Sequence, residues 1–210
     1  MDDWIYSFHH LNFINYAKKI NAPVLTTNFD NIFQRAGALE FFKIKKPGFT
    51  DFYPWECYFG NTELPFPTDD FGVWHINGMQ KYHRSIILGL THYMGCVQRA
   101  RTFIHKGKEG RLFTGKNTQN WSGSKTWLHI LFNKDLLIFG LGLEENEVFL
   151  RWLLIERAKY FNAFPNRKHN AWYLTTPGKT KPGKRLFLEN VGMSIIELKD
   201  YTEIYKDLWE

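Results

Sequence analysis

Cysteine is almost absent: Cys57 and Cys96 are the only two in 210 residues, and they stand in no CxxC spacing. This excludes a disulfide framework and a four-thiolate zinc site built from this chain, and a reducing cytoplasm is the expected setting. Long apolar runs are missing too. The longest, such as Leu136 to Phe139, are far too short to cross a bilayer, and no charged segment leads into an apolar one at the N-terminus, so neither a membrane partner nor a leader is expected. There is no G-x-S-x-G and no Walker loop, and Cys57 and Cys96 fall in no nucleophile motif. His9, His10, His83, His92, His105, His129 and His169 are scattered without metal-ligand spacing, so no metal is expected. Acidic residues are lacking in one stretch, for between Arg157 and Leu188 there are eight Lys or Arg and no Asp or Glu.

What is present is enough for one compact domain, residues 1–210, with a substantial core: 44% of residues are apolar and 18% aromatic, including 8 Trp and 19 Phe. The net charge of +6 is concentrated in the stretch just named and in a second one from Arg99 to Lys116. Such stretches attract phosphates, but single-sign loops are more often simply solvated, so nucleic-acid binding is the less favoured reading.

Periodicity gives an α/β alternation. Asp2 or Asp3 is placed to cap a helix carrying Trp4, Phe8, Leu11 and Ile14 and ending near Ile20. Val24 to Thr27 reads as a short buried strand, followed at once by a helix from Asn31 to Leu39 with Asp30 in the capping position. From Phe41 to Phe71, Pro47, Pro54, Pro65 and Pro67 predict a long ordered loop rich in aromatics. Strands are expected at Gly72–Asn77 and Ser85–Gly89, and a Thr91-capped helix to about Ile104. A helix starting near Ser122 or Ser124 leads to an apolar strand at Leu136–Phe139. Glu144 to Tyr160 is the clearest helix, with an apolar face of Val148, Trp152 and Ile155. Strand, helix, strand and helix then follow at 171–174, 184–190, 194–198 and 201–209. This alternation implies a mostly parallel sheet with helices on both faces.

Two segments sit where α/β sheets place ligands. Thr26-Thr27-Asn28-Phe29-Asp30 puts an amide and a carboxylate where a strand ends and a helix begins, a place suited to a ribose or a carboxamide. The plainer reading is that Asp30 caps its helix and Asn28 closes a turn. Gly140-Leu141-Gly142 ends the Leu136–Phe139 strand, but Glu145 stands where the third glycine of a dinucleotide fingerprint would be, so a bare turn and a ligand contact both remain open.

Three segments in order resemble the sirtuin-like (silent-information-regulator-like) family, especially its bacterial NAD-consuming branch. They are TTNFD at 26–30, similar to T-x-N-x-D; Val73-Trp74-His75-Ile76-Asn77-Gly78 with Ser85-Ile86-Ile87-Leu88-Gly89 and Tyr93, similar to the strand ending in His-Gly and its downstream Ser-Ile segment; and Leu137 to Glu144, similar to the apolar strand with its Gly-x-Ser-Leu-x-Asp turn. The likeness covers about residues 15–160, and 161–210 would complete a Rossmann-like sheet. It implies NAD as ligand or substrate, held by Thr27, Asn28, Asp30, Asn77, Gly140 and Gly142, and no zinc. It also implies hydrolysis of the nicotinamide–ribose bond in an antiviral defence setting. Two departures leave activity open. Asn77 stands where the family has its catalytic His, and an amide is no general base near neutral pH. His75, roughly 7 Å away along the strand, is the candidate replacement, though a structural histidine with its ring satisfied between strand and loop is the favoured reading. The family's first strand and Gly-rich phosphate loop are also not recognisable, as in an N-terminally shortened member: either another protein chain or a homo-oligomer supplies that element, or the sequence is a shortened gene product, or the site is vestigial. The alternative from a different class is a degenerate, non-catalytic module that docks protein or nucleic acid.

Overall fold

Val24 and Thr26 of β1 (Val24–Thr26) are buried, as expected for an apolar strand packed under helices. β1 pairs in parallel with β4 (Val73–His75), Thr26 opposite His75, and all three β4 residues are buried. The computed structural model describes residues 4–44, 52–106, 110–114 and 119–210. Asp2 and Asp3, Pro47 and parts of the Arg99–Lys116 stretch lie outside them.

The first of two compact units comprises residues up to Leu88, Ser122–Ile130 and the last two residues. Its sheet has the order β1-β4-β3-β2, where β2 is Glu40–Lys43 and β3 is Cys57–Gly60. β2 and β3 pair antiparallel inside the stretch expected to be a loop. Prolines dominate that stretch, but the paired segments between them are aromatic, with Phe41 opposite Phe59 and Phe42 opposite Tyr58, which suits cross-strand packing. α1 (Phe8–Lys19) and α2 (Ile32–Gly37) flank β1. α1 starts four residues later than Trp4, because Ser7 precedes it and its backbone N–H donates to His10 Nδ1 at 3.0 Å. Its buried residues, Ile14 and Ala17, pack with Val24, Phe71 and Val73. α2 ends at Ala38, in the left-handed region at φ 48°, so it is shorter than expected.

The predicted strand at Ser85–Gly89 does not form. A 3₁₀ turn runs from Gln80 to Ser85, and Ile87 N–H donates to the carbonyl of Asn77 at 2.9 Å, so the apolar run folds back on the end of β4 instead of pairing as a strand.

The second unit comprises 89–121 and 131–208. α3 (Gly89–His105) begins before Thr91, and α4 (Leu128–Asn133) passes from the first unit into the second at Leu131. The sheet here is wholly parallel, in the order β5-β6-β7 with β5 Leu136–Ile138, β6 Ala171–Thr175 and β7 Ser194–Glu197. α5 (Val148–Ala163), α6 (Pro182–Asn190) and α7 (Tyr201–Tyr205) complete it. Leu143, Leu154, Tyr173, Leu188 and Met193 form its core. The inward face of α5 is Phe149, Leu153, Leu154, Tyr160 and Phe161, not the expected Val148, Trp152 and Ile155; Ile155 is exposed. The inward face also holds Glu156 and Arg157, polar residues that mask the helical period from sequence. The strand–helix alternation and the parallel pairings make the chain an α/β protein of Rossmann-like type.

Candidate functional site

The parallel register of Thr26 with His75 means that Asn28 and Asn77, each two residues further on, both lie beyond the carboxyl ends of their strands. Backbone bonds hold these ends. Asn28 N–H donates to Thr26 Oγ1 at 3.1 Å, Ile76 N–H to the Thr26 carbonyl at 3.0 Å, and Gln80 N–H to the Phe29 carbonyl at 2.9 Å. Asp30 accepts from Ile32 N–H at 3.0 Å, which is the expected contact with the start of α2, and its side chain is half-buried. Thr27 is half-buried and Asn28 exposed.

His75 is 1% exposed, and both of its ring nitrogens are engaged. Nδ1 lies 2.8 Å from the Asn28 carbonyl and must donate to it, so Nε2 is left as the acceptor for the Gln34 amide N–H. A proton on Nε2 would face that N–H head-on. Burial drives the imidazole down to about 4, against smaller opposing effects of the Asn28 carbonyl and of Asp30. The ring is therefore neutral near pH 7.

Asn77 is 5% exposed; its carbonyl accepts from Ile87 N–H, while its Oδ1 is buried without a partner. The Oδ1 of Asn31 and the Oε1 of Gln34 and Gln80 are in the same condition. A buried acceptor left unpaired costs about 1–3 kcal/mol, whereas one met by water or a ligand hydroxyl does not. Gly78, with φ 90°, closes the end of β4; a Cβ there would stand 2.2 Å from the Ser85 carbonyl oxygen. Ser85 Oγ accepts from Met79 N–H at 3.0 Å and donates to the Tyr82 carbonyl at 2.6 Å, fixing the turn. Gln34 escaped sequence reasoning because one polar residue on a short helix carries no signal of facing inward.

Gly140 and Gly142 lie beyond β5 in the second unit. Gly140 has φ 68° and Leu143 φ 48°, so the chain turns sharply there. Tyr173 Oη donates to the Leu141 carbonyl at 2.8 Å, and Lys184 Nζ to the Gly142 carbonyl at 3.0 Å and to Glu144 Oε1 at 3.2 Å. Both cysteines are buried, which raises Cys57 and lifts Cys96 to about 11, opposite to an activated thiolate. Among the described residues no group of three or more His, Cys, Asp or Glu could hold a metal, and no helix is long and apolar enough to cross a membrane.

A family model described as SIR2-like domain matches residues 23–196, which takes in the TTNFD segment, the β4 end and the β5 turn. The chain belongs to the SIR2-like domain family. Membership implies a function related to NAD. No curated protein and no solved structure matches the chain. The unpaired oxygens of Asn77 and Gln34 are acceptors, and a carboxamide and ribose hydroxyls are donors, so the donor chemistry of such a nucleotide is compatible with them, while both oxygens are closed to the surface.

Proposed function

We propose that this SIR2-like domain binds NAD, with Thr27, Asn28, Asp30 and Asn77 of the first unit at the nicotinamide and ribose end. The observation that carries this reading is the Thr26–His75 register, which gathers the first two family segments at one strand end beside unpaired buried acceptors. NAD supplies a glycosidic bond to a neutral leaving group, and hydrolysis gives nicotinamide, ADP-ribose and a proton. Asn77 Oδ1 is suited to accept a hydrogen bond from a ribose hydroxyl but not its proton. His75, neutral and bonded at both nitrogens, serves as a positioning residue for Asn28. Cleavage is therefore slow compared with a domain carrying an imidazole at position 77, and the setting is a bacterial cytoplasm, in antiviral defence. Isothermal titration with NAD together with nicotinamide release tests the reading; neither binding nor turnover at millimolar NAD would remove it.

A second chain completing the domain is supported by the strand edges. Among the described residues β1, β2, β5 and β7 each pair on one side; β2 and β7 carry Glu40, Lys43 and Glu197, charges that discourage further pairing, and β1 and β5 carry none. The second reading, a non-catalytic docking module, is favoured by Asn77 and by the exposed Lys179 and Lys181. Reversing the charge of both residues would abolish partner capture under that reading and leave NAD binding intact under the first.

A further inference from the structure

The carboxyl end of β5 is covered by a feature that the motif segments do not contain. α7 starts at Asp200, whose Oδ1 accepts from Thr202 N–H at 2.8 Å and Glu203 N–H at 3.1 Å, so this single turn is firmly set. Tyr201 and Tyr205 stand one turn apart on it with their rings stacked at 6.2 Å and 28°. Tyr205 also meets Phe139 edge-on at 6.0 Å, which ties the pair to the end of β5. Its hydroxyl lies over Gly140, where a Cβ would come within 2.6 Å of it. Both rings remain open to solvent, Tyr201 at 56% and Tyr205 at 40% exposure. Two stacked, exposed aromatic faces beside a turn with two glycines, at the end of a parallel sheet where ligands bind, have the form of a stacking surface for a flat heteroaromatic ring.

We infer that Tyr205, backed by Tyr201, is the base-stacking residue of the chain and receives the base of an adenine nucleotide. The inference rests on the nucleotide reading for its ligand class, and on the Tyr205–Gly140 contact for its place. The ring supplies the π-face, and Gly142, where a Cβ would meet only the Glu144 side chain, leaves the neighbouring backbone uncovered.

Isothermal titration of the full chain with AMP, ribose phosphate and NAD separates the parts. The wild type should bind AMP and not ribose phosphate; Tyr205→Leu should weaken AMP at least tenfold, and Tyr205→Phe, which keeps the ring, should bind nearly as wild type. Quenching of etheno-AMP fluorescence gives a second readout, expected with wild type and Tyr205→Phe and lost with Tyr201→Leu/Tyr205→Leu. AMP binding unchanged in Tyr205→Leu, or no AMP binding by the wild type, would overturn the inference. Tyr205-dependent AMP binding without any NAD binding would uphold it while removing the NAD reading.

Discussion

The imidazole of His75 donates from Nδ1 to the backbone carbonyl of Asn28 across 2.8 Å, fastening the end of β4 to the segment that follows β1. Protonation would leave this bond in place but remove the other one, because Nε2 accepts from Gln34 only while the ring is neutral.

Stability should therefore fall in mild acid. The folded value near 4 lies below the ordinary 6.5, so the unfolded chain takes up the proton first. The contribution is fully present above 6.5 and is lost as pH falls towards 4, up to about 3 kcal/mol for such a shift. His129, also buried and driven down to about 4, adds a loss of the same sign. Urea unfolding at about pH 7.5 and about pH 4.5 should show a drop that His75→Gln reduces but does not abolish.

Glycine at 78 is required in a way that glycine at 142 is not. Gly78→Ala places a methyl into the Ser85 carbonyl at φ 90°, whereas a Cβ at Gly142 meets only the Glu144 side chain, at 3.5 Å. The backbone conformation alone costs Gly78→Ala about 1–2 kcal/mol, and the overlap adds to it. Gly142→Ala should stay within about 1 kcal/mol of wild type in the same unfolding measurement.

Arg157 should be irreplaceable even by lysine. Its buried guanidinium donates to the carbonyls of Leu131, Lys134, His169 and Asn170, and desolvation brings it down to about 10. One ammonium has neither the reach nor the planar fork for four carbonyls, so Arg157→Lys should cost about 2–4 kcal/mol in unfolding free energy.

The parts of this architecture that rest on apolar runs were legible: β1, β5, β6 and β7 and the helices between the last three follow from Val24-Leu25, Leu136-Leu137-Ile138, Ala171 to Leu174 and Ser194 to Ile196. The β2–β3 pair was hidden because prolines set the character of its surroundings while the pairing is between residues such as Phe42 and Tyr58, far apart in sequence. Ser85 to Leu88 has the composition of a strand, but the Gly78 turn returns Ile87 to Asn77 before a partner strand is available. The site segments were recognisable as motifs, yet the Gln34–His75 bond and the orphan oxygen of Asn77 depend on tertiary contacts that no spacing encodes.

Restoring a base at position 77 should raise turnover. Asn77→His puts an imidazole where only an amide now stands, and general-base help is worth about 10²–10⁴-fold. Nicotinamide release should rise by at least about tenfold relative to wild type, with a pH profile that gains a histidine limb.

The most direct test of NAD binding at residues 26–30 is isothermal titration of NAD into the wild type and Asn28→Ala. The bonds that anchor Asn28 use its backbone N–H and carbonyl, so the substitution leaves them in place. Saturable binding by the wild type and a dissociation constant at least about tenfold weaker in the variant are expected, with unfolding midpoints alike. Equal affinity in the two proteins, or no binding by the wild type at millimolar NAD, would contradict the proposal.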